Sequence, residues 1–374
     1  MRILHTSDWH LGRKFGEHPL LGDQRAFLDW LVSLAVDRAV DLVVVSGDLY
    51  DRSVPPAEAV QLFGDTLRLL HQQGIGFVGI AGNHDSSSRL AAFDGITHAS
   101  GVLLGGGYQR SSEVAVVQVG GFRLAIAAVP FLDPLMSPFA SEGRLSHEEV
   151  LRTALCEARK LLPEKTCSLV LAHAFVAGGQ VSDSERELSV GTAGTVSADI
   201  FDGFDYVALG HLHSPQAIAG HDHLRYSGSP LAYSFSETVR KSVCLVELAD
   251  EGFVSVESVL VPVGRGVQTV SGDIADLVEG PQSDLWTRVE LTDKAPVLDA
   301  QRRLRDRFPF VVEIARLRSD SDADSDALSM SQVRELAPEE LAAAFWLEVE
   351  GEALSDDESA LLNAALAAAD SSSS

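Results

Sequence analysis

The 374-residue sequence predicts an α/β fold in which an open sheet, covered by helices, carries a polar site at the carboxyl ends of its strands. Three observations lead there. Apolar strand-like stretches alternate with helix-period stretches through the first half of the chain. Five strand-like stretches end in clusters of Asp, His and Asn. Hydrophobic residues make up 45% of the sequence, which at this length allows a substantial core.

Taken in order, Arg2-Ile3-Leu4-His5 is the first strand and leads into Asp8-Trp9-His10. Asp23 to Asp37 carries Phe27, Leu28, Leu31, Leu34 and Ala35 at helical spacing. Asp41 to Val45 is a strand that ends in Gly47-Asp48. Pro55-Pro56 opens a second helix running to about His71, with Leu62, Phe63, Leu67 and Leu70 on one face. Gly76 to Ala81 leads into Gly82-Asn83-His84-Asp85. Gly105-Gly106-Gly107 has neither a following helix nor a Gly-Lys-Ser/Thr continuation and reads as a flexible loop. No Walker A pattern occurs, so ATP hydrolysis is not expected. Glu113 to Val119 and Phe122 to Val129 read as a hairpin turning at Gly120-Gly121. Ser168 to Ala172 precedes His173, and Tyr206 to Leu209 precedes Gly210-His211-Leu212-His213.

These elements assign residues 1–262 to a main domain. Residues 263–318 read as a small α/β unit with strands at Thr287 to Leu291 and Phe310 to Ala315 and a helix near Val297 to Arg307. Residues 319–331 begin with an alternating Ser/Asp run, a solvated linker expected to be disordered. In 332–374, Pro338 starts a helix carrying Leu341, Phe345, Trp346 and Val349. Ser355 with Glu358 forms a capping box for another carrying Leu361, Leu362, Ala365 and Leu366. An apolar helix behind an acidic tether favours docking on a partner over packing on its own domain, with Leu341, Phe345 and Trp346 as contacts.

Composition excludes several classes. No apolar run approaches the roughly 18 or more residues of a membrane span, and the amino terminus opens directly into a strand, which leaves no secretory leader expected. Cys156, Cys167 and Cys244, without a C-x-x-C spacing, fit buried structural thiols in a reducing cytoplasm. A net charge of −25 argues against a chain that grips a polyanion unaided; a nucleic-acid substrate would need local basic patches, metals or a basic partner.

Asp, His and Asn together suit a borderline-hard divalent ion such as manganese, iron or zinc rather than calcium. Two ions roughly 3.5–4 Å apart need a shared carboxylate and would clamp a water attacking phosphorus in line with the leaving oxygen. Asp48, a lone carboxylate at a strand end after Gly47, is the natural bridge. His84, beside the ligand Asn83, is placed to protonate a leaving oxygen, with Asp85 as an orienting carboxylate.

The series Asp-x-His, Gly-Asp, Gly-Asn-His-Asp, a lone His and Gly-His-x-His resembles the calcineurin-like metallophosphoesterase superfamily. Within it, Thr6-Ser7-Asp8-Trp9-His10-Leu11-Gly12, Ser46-Gly47-Asp48-Leu49-Tyr50-Asp51 and Tyr226-Ser227-Gly228-Ser229-Pro230 closely resemble the SbcD family of bacterial nuclease subunits. The likeness covers about residues 1–240, and the small unit matches only in position and pattern. It implies a four-layer αββα metallophosphoesterase sandwich, a small α/β capping domain and C-terminal partner-binding helices. It assigns Asp8, His10, Asp48 and His213 to one metal ion and Asp48, Asn83, His173 and His211 to a second, usually manganese (Mn2+). It gives His84 a leaving-group or phosphate-contacting role. Archaeal relatives have a histidine where this chain has Asp51, and bacterial members commonly carry Asp there. The implied activity is DNA cleavage, exonucleolytic on double strands and endonucleolytic on single strands or hairpins. The implied partner is an SbcC-type coiled-coil ATPase, in a cytoplasmic, nucleoid-associated repair and recombination complex. A homodimer of the nuclease subunit within a heterotetramer is expected, and the helix at 55–71 is a candidate surface for it.

Other readings weigh against these. A lone histidine such as His173 is more often structural; the other four clusters make it a ligand. His221-Asp222-His223 has ligand chemistry but follows Gly220 in an expected hairpin and lies outside the motif, so it reads as a decoy. His5 reads as a core histidine or one behind the ligands. Arg13, Lys14, Arg52 and Arg89 lie near the clusters and are candidates for holding a nucleic-acid backbone, with ordinary surface charge the alternative. A phosphomonoesterase or cyclic-nucleotide phosphodiesterase would use the same site; the C-terminal helices and the Tyr226-to-Pro230 motif speak against it. A non-catalytic scaffold is disfavoured because all the ligand positions are filled.

Overall fold

The computed structural model describes residues 1–93, 97, 101–107, 111–119, 121–136, 145–185 and 194–317, with Ala343, Trp346, Leu354, Ser355, Glu358, Ser359, Leu361 and Leu362. These form two compact units: Met1–Leu291 with Val297–Ala315, and Thr292–Pro296 with the described residues from Arg316 onward.

The strands in chain order are β1 (Arg2–Thr6), β2 (Lys14–Phe15), β3 (His18–Pro19), β4 (Leu42–Val45), β5 (Gly76–Ile80), β6 (Val102–Gly105), β7 (Val114–Val119), β8 (Phe122–Val129) and β9 (Cys167–His173). They continue with β10 (Tyr206–Gly210), β11 (Gln216–Ile218), β12 (His221–Tyr226), β13 (Ser242–Ala249), β14 (Gly252–Leu260), β15 (Val267–Gly272), β16 (Trp286–Leu291) and β17 (Val311–Arg316). One sheet runs β14-β13-β1-β4-β5-β6 and a second runs β11-β12-β10-β9-β8-β7. The central strands are parallel in both. Their apolar residues are therefore buried on both faces, as parallel sheets require.

Strand alternation divides these residues among three cores. In β1, Ile3 enters the core between the sheets and Leu4 the core under the helices; Leu42 and Val44 of β4 part from Val43 and Val45 in the same way. Between the sheets, Ile3, Val44 and Val78 meet Ile126, Leu169 and Leu171. Helices α1 (Leu21–Asp37) and α2 (Ala57–Gln72) cover the first sheet with Phe27, Leu28, Leu31, Leu62 and Phe63. The helix His147–Leu161 covers the second with Val150, Leu151 and Leu155. The layering is thus helix, sheet, sheet, helix. Each fully buried Leu, Ile, Val or Phe contributes roughly 1.5–3 kcal/mol, so these cores carry the stability of the fold.

The expected elements of the first 130 residues recur with their ends shifted by a residue or two, and β7 and β8 pair as the expected hairpin. Gly105-Gly106-Gly107 differs from its expected form as a flexible loop. Gly105 ends β6, and a Cβ on Gly106 would lie 2.3 Å from the Ser87 carbonyl oxygen, so the backbone is packed there. Cys156 is exposed on its helix rather than buried, unlike Cys167 and Cys244. His221 and His223 lie in β12, the second strand of a hairpin with β11, as expected.

The sheet β15-β16-β17 encloses its own small core of Val289, Leu304, Phe308 and Val311. Its Trp286 packs with Phe15 and Leu20, on the segment that leaves His10. The helix expected near Val297 to Arg307 spans Ala300–Leu304. Farther on, Ser355 and Glu358 are reciprocally bonded, Ser355 N–H to Glu358 Oε2 at 2.9 Å and Glu358 N–H to Ser355 Oγ at 3.4 Å, which is the expected capping box. Trp346 is 39% exposed. Leu341, Phe345, the Ser/Asp linker and Gly120 lie outside the described residues. No helix among the described residues is long and apolar enough to cross a membrane.

Candidate metal centre

The two sheets present their carboxyl ends on one side, and the loops there interlock. Asp8 N–H donates to Gly47 carbonyl at 3.0 Å and His10 N–H to Asp48 carbonyl at 2.9 Å, tying the loop after β1 to the loop after β4. Across the sheets, His211 N–H donates to Asp8 Oδ1 at 3.0 Å. Asp8, His10, Asp48 and His211 all have positive φ, at 53°, 43°, 50° and 104°. Non-glycine residues avoid this region, and such strain persists chiefly where surrounding structure enforces it at working sites.

The side chains of Asp8, His10, Asp48, Asn83, His173, His211 and His213 converge. His10 Nε2 lies 3.3 Å from His213 Nε2 and 3.5 Å from Asp48 Oδ2. The same Asp48 oxygen lies 3.5 Å from His173 Nε2, so this carboxylate sits between two imidazoles. Asn83 Oδ1 lies 2.9 Å from His173 Nε2 and 3.2 Å from His211 Nδ1. Asp8, His10 and His213 are close enough to share one ion, as are Asp8, Asp48 and His173, and His10, Asp48 and His84.

The donor chemistry fits divalent metal. His173 Nδ1 donates to the Ser46 carbonyl at 2.9 Å, which directs its other nitrogen at Asn83 Oδ1, an atom that can only accept. His211 Nδ1 and Asp48 Oδ2 approach the same region, so lone pairs converge with few hydrogens to share among them. A cation satisfies all of them. Burial pushes His211 down to about 3 and holds His10 well below its usual range, which keeps both imidazoles in the neutral form that binds metal. Burial opposes charge on Asp48, but His173 outweighs it and keeps the carboxyl well below the usual range. At His173, burial opposes the cation, yet Asp48 lifts the ring up to about 9. The pull that Asp48 exerts on a proton there is the pull it would exert on a metal ion.

His84 stands at the rim, half-buried, its ring edge-on to His10 with centroids 4.7 Å apart. Its N–H donates to Asp48 Oδ1 at 2.9 Å, and its Nδ1 donates to the Asp51 carbonyl at 2.9 Å, leaving Nε2 free of that bond. The expectation that Asp85 orients this imidazole is not met. Its carboxylate instead accepts from Leu49 N–H at 3.0 Å, Tyr50 N–H at 2.9 Å and Gly82 N–H at 3.0 Å. The reason is that the loops after β4 and β5 would otherwise bury unpaired amides. Burial raises Asp85 to about 6 with Asp48 adding to the effect. The orienting acceptor is the Asp51 backbone.

Of the four basic residues, Arg13 reaches the site: it donates to Asp51 Oδ1 at 3.1 Å and lies 4.8 Å from the centre of the Tyr233 ring. Lys14, Arg52 and Arg89 are exposed, Lys14 within 3.8 Å of Glu17. His5 is fully buried between Tyr206 Oη at 3.0 Å and Ser46 Oγ at 3.1 Å, and the Ser46 carbonyl is the acceptor of His173 Nδ1. Tyr233, Glu185, Glu237 and Lys241 also surround His10 or His213, and sequence reasoning missed them. The i, i+4 pair Glu237 and Lys241 was the one visible signal, and it reads equally well as surface charge. The Tyr226-to-Pro230 motif acts as a brace. Tyr226 Oη donates to the Ala174 carbonyl at 2.6 Å, and Ser229 N–H donates to the His213 carbonyl at 3.1 Å.

The calcineurin-like phosphoesterase family matches residues 1–215. A second family, described as the type 5 capsule protein repressor C-terminal domain, matches residues 263–350. The SbcD subunit of the nuclease SbcCD from Bacillus subtilis (strain 168) is 34% identical over 377 residues, covering 96% of this chain and 95% of that protein. Its namesake from Escherichia coli (strain K12) is 30% identical over 375 residues, covering 91% and 94%. The chain therefore belongs to the calcineurin-like phosphoesterase family and, within it, to the SbcD family of SbcCD nuclease subunits.

Proposed function

We propose that the chain hydrolyses phosphodiester bonds in DNA with two divalent metal ions, manganese in the first place, as the nuclease subunit of an SbcCD-type complex. The observation that carries the reading is the convergence of Asp8, His10, Asp48, Asn83, His173, His211 and His213 around one carboxylate, Asp48, which lies 3.5 Å from an imidazole on either side. Asp8, His10, Asp48 and His213 would hold one ion; Asp48, Asn83, His173 and His211 would hold the other. Such a pair supplies an activated water and charge for the phosphoryl oxygens. The protein's own residues do the rest. His84, fixed through Nδ1, presents Nε2 to the leaving oxygen, Asp85 holds the loop that carries Asp48, and Arg13 supplies a positive charge beside the site. Lys14, Arg52 and Arg89 extend that charge toward a DNA backbone.

The family name of the relatives carries the partner. With a net charge of −25, the chain needs a basic clamp to reach DNA, and an SbcC-type coiled-coil ATPase would supply it. In this reading residues 1–262 are the nuclease domain, 263–318 a capping domain, 319–331 a linker and 332–374 the segment that docks on the partner. The assembly is a heterotetramer around a nuclease homodimer in the cytoplasm. Manganese-dependent cleavage of blunt and hairpin DNA, with and without the partner, tests the whole. Hydrolysis of a small chromogenic diester without DNA cleavage under any of these conditions would point to a phosphodiesterase of the same family instead.

Deleting residues 332–374 is expected to leave metal binding and small-diester hydrolysis intact while abolishing association with the ATPase. Trp346→Ala alone should weaken that association by roughly 2–4 kcal/mol, the loss typical of a buried aromatic anchor. Pull-down of the partner at full strength by the truncated chain would show that these helices serve their own domain.

A further inference from the structure

Behind His213 lies a buried polar network built from two distant segments. Glu237 and Glu185 are 3% and 2% exposed. Lys241 Nζ is paired with Glu237 Oε2 and donates to the His213 carbonyl and to Ser229 Oγ, each at 2.9 Å. The Glu185 carboxylate accepts from His213 N–H and from Ser182 N–H. Between the two segments stands Ser184. Its Oγ lies 2.8 Å from Glu237 Oε1, 2.8 Å from His213 Nδ1 and 2.8 Å from Ser182 Oγ.

The direction of these bonds can be worked out from proton supply. A carboxylate ion-paired to a lysine only accepts, and Glu237 Oε1 also takes Tyr233 N–H at 3.2 Å. Ser184 has one hydroxyl proton, and the 2.8 Å contact with Glu237 requires it. Toward His213 the Ser184 oxygen is then an acceptor at 2.8 Å, with Glu237 Oε1 itself a longer 3.4 Å from the same nitrogen, so Nδ1 carries the hydrogen. The other nitrogen, Nε2, keeps its lone pair and faces His10 Nε2 at 3.3 Å, inside the metal centre.

We infer that Glu237 and Ser184 form a carboxylate–hydroxyl–imidazole relay that locks His213 in the Nδ1–H tautomer and aims Nε2 at one of the two ions. Lys241 and Glu185 fix the same histidine through its backbone. All four are positioning residues, since none reaches the reacting atoms. The inference rests on the two-ion reading. Groups behind metal-bound histidines typically contribute 10–100-fold to metal affinity.

Calorimetric titration of manganese into the full-length chain tests it, with thermal unfolding followed in parallel. Ser184→Ala is expected to weaken one of the two binding steps by about 10–100-fold and leave the other step and the unfolding temperature close to wild type. Ser184→Thr, which keeps the hydroxyl, should restore the affected step, and Glu237→Gln should weaken the same step as Ser184→Ala. Nitrogen-15 spectra of labelled histidine should show the Nδ1–H signature of one ring weakened or shifted in Ser184→Ala and lost when Ser184→Ala is combined with Glu237→Gln. A wild-type chain that takes up two ions beside a Ser184→Ala variant that binds both equally well overturns the relay alone. Equal weakening of both steps with a collapse in unfolding temperature does the same, because it marks a general structural role. A wild-type chain that takes up no manganese overturns the two-ion reading itself.

Discussion

Replacing Asp48 by alanine is expected to abolish phosphodiester hydrolysis and to strip both metal ions from the chain. Asp48 Oδ2 lies 3.5 Å from His10 and 3.5 Å from His173, so in the proposed centre both halves would lose a ligand at once. The same change leaves His84 N–H without the acceptor it has in Asp48 Oδ1. His84→Ala is a different kind of loss. The imidazole sits at the rim, and its removal should leave both ions in place while turnover falls by ~10²–10⁴-fold, the range for a lost proton-transfer group. Metal content and steady-state hydrolysis of a small diester, measured on both variants, separate the two. Equal metal loss in His84→Ala would mean that this ring belongs among the ligands, which its position near His10 and Asp48 makes a real alternative outcome.

The parts of this centre that were legible in sequence share one property: their chemistry and their strand are adjacent in the chain. Asp8-Trp9-His10 follows β1 after one residue and His211 follows β10, so apolar periodicity located the strands and residue type the side chains that converge. What supports these side chains was not legible, because its partners are far apart. Ser184 meets Glu237 across 53 residues and His5 meets Tyr206 across 201. No spacing rule distinguishes such a Ser or Glu from a surface one. Asp85 shows the converse error: proximity to His84 in the chain gave it the orienting role, but backbone amides of the neighbouring loop claimed its oxygens. The helix His147–Leu161 was within reach of a sequence reading. It opens on the capping box Ser146 and Glu149 and buries Val150, Leu151, Ala154, Leu155 and Ala158 at helical spacing. Gly106 was beyond it, since nothing local announces the Ser87 backbone against which it packs.

Gly210→Ala is expected to destabilise the fold and the centre together, although it adds one methyl group. Gly210 ends β10, and a Cβ there would lie 1.9 Å from the Ser46 carbonyl oxygen and 3.0 Å from His173 Nδ1. Those two atoms make the 2.9 Å hydrogen bond that orients His173, and Ser46 Oγ in turn holds His5. The methyl meets backbone of the opposite sheet, which has no free rotamer to retreat into. The sheets must part locally or His173 must turn, at a cost of roughly 1–3 kcal/mol or more for an overpacked core. Either movement draws His173 Nε2 away from Asp48. Gly64→Ala provides the contrast: Gly64 lies within α2 with open space where its Cβ would stand, so the substitution should stabilise by about 0.5–1 kcal/mol. Thermal unfolding and manganese titration of the two variants should therefore move in opposite directions for stability, with metal affinity lost only in Gly210→Ala. A Gly210→Ala chain that unfolds and binds metal like wild type would show that the sheets are not held this closely at the ligand-bearing edge.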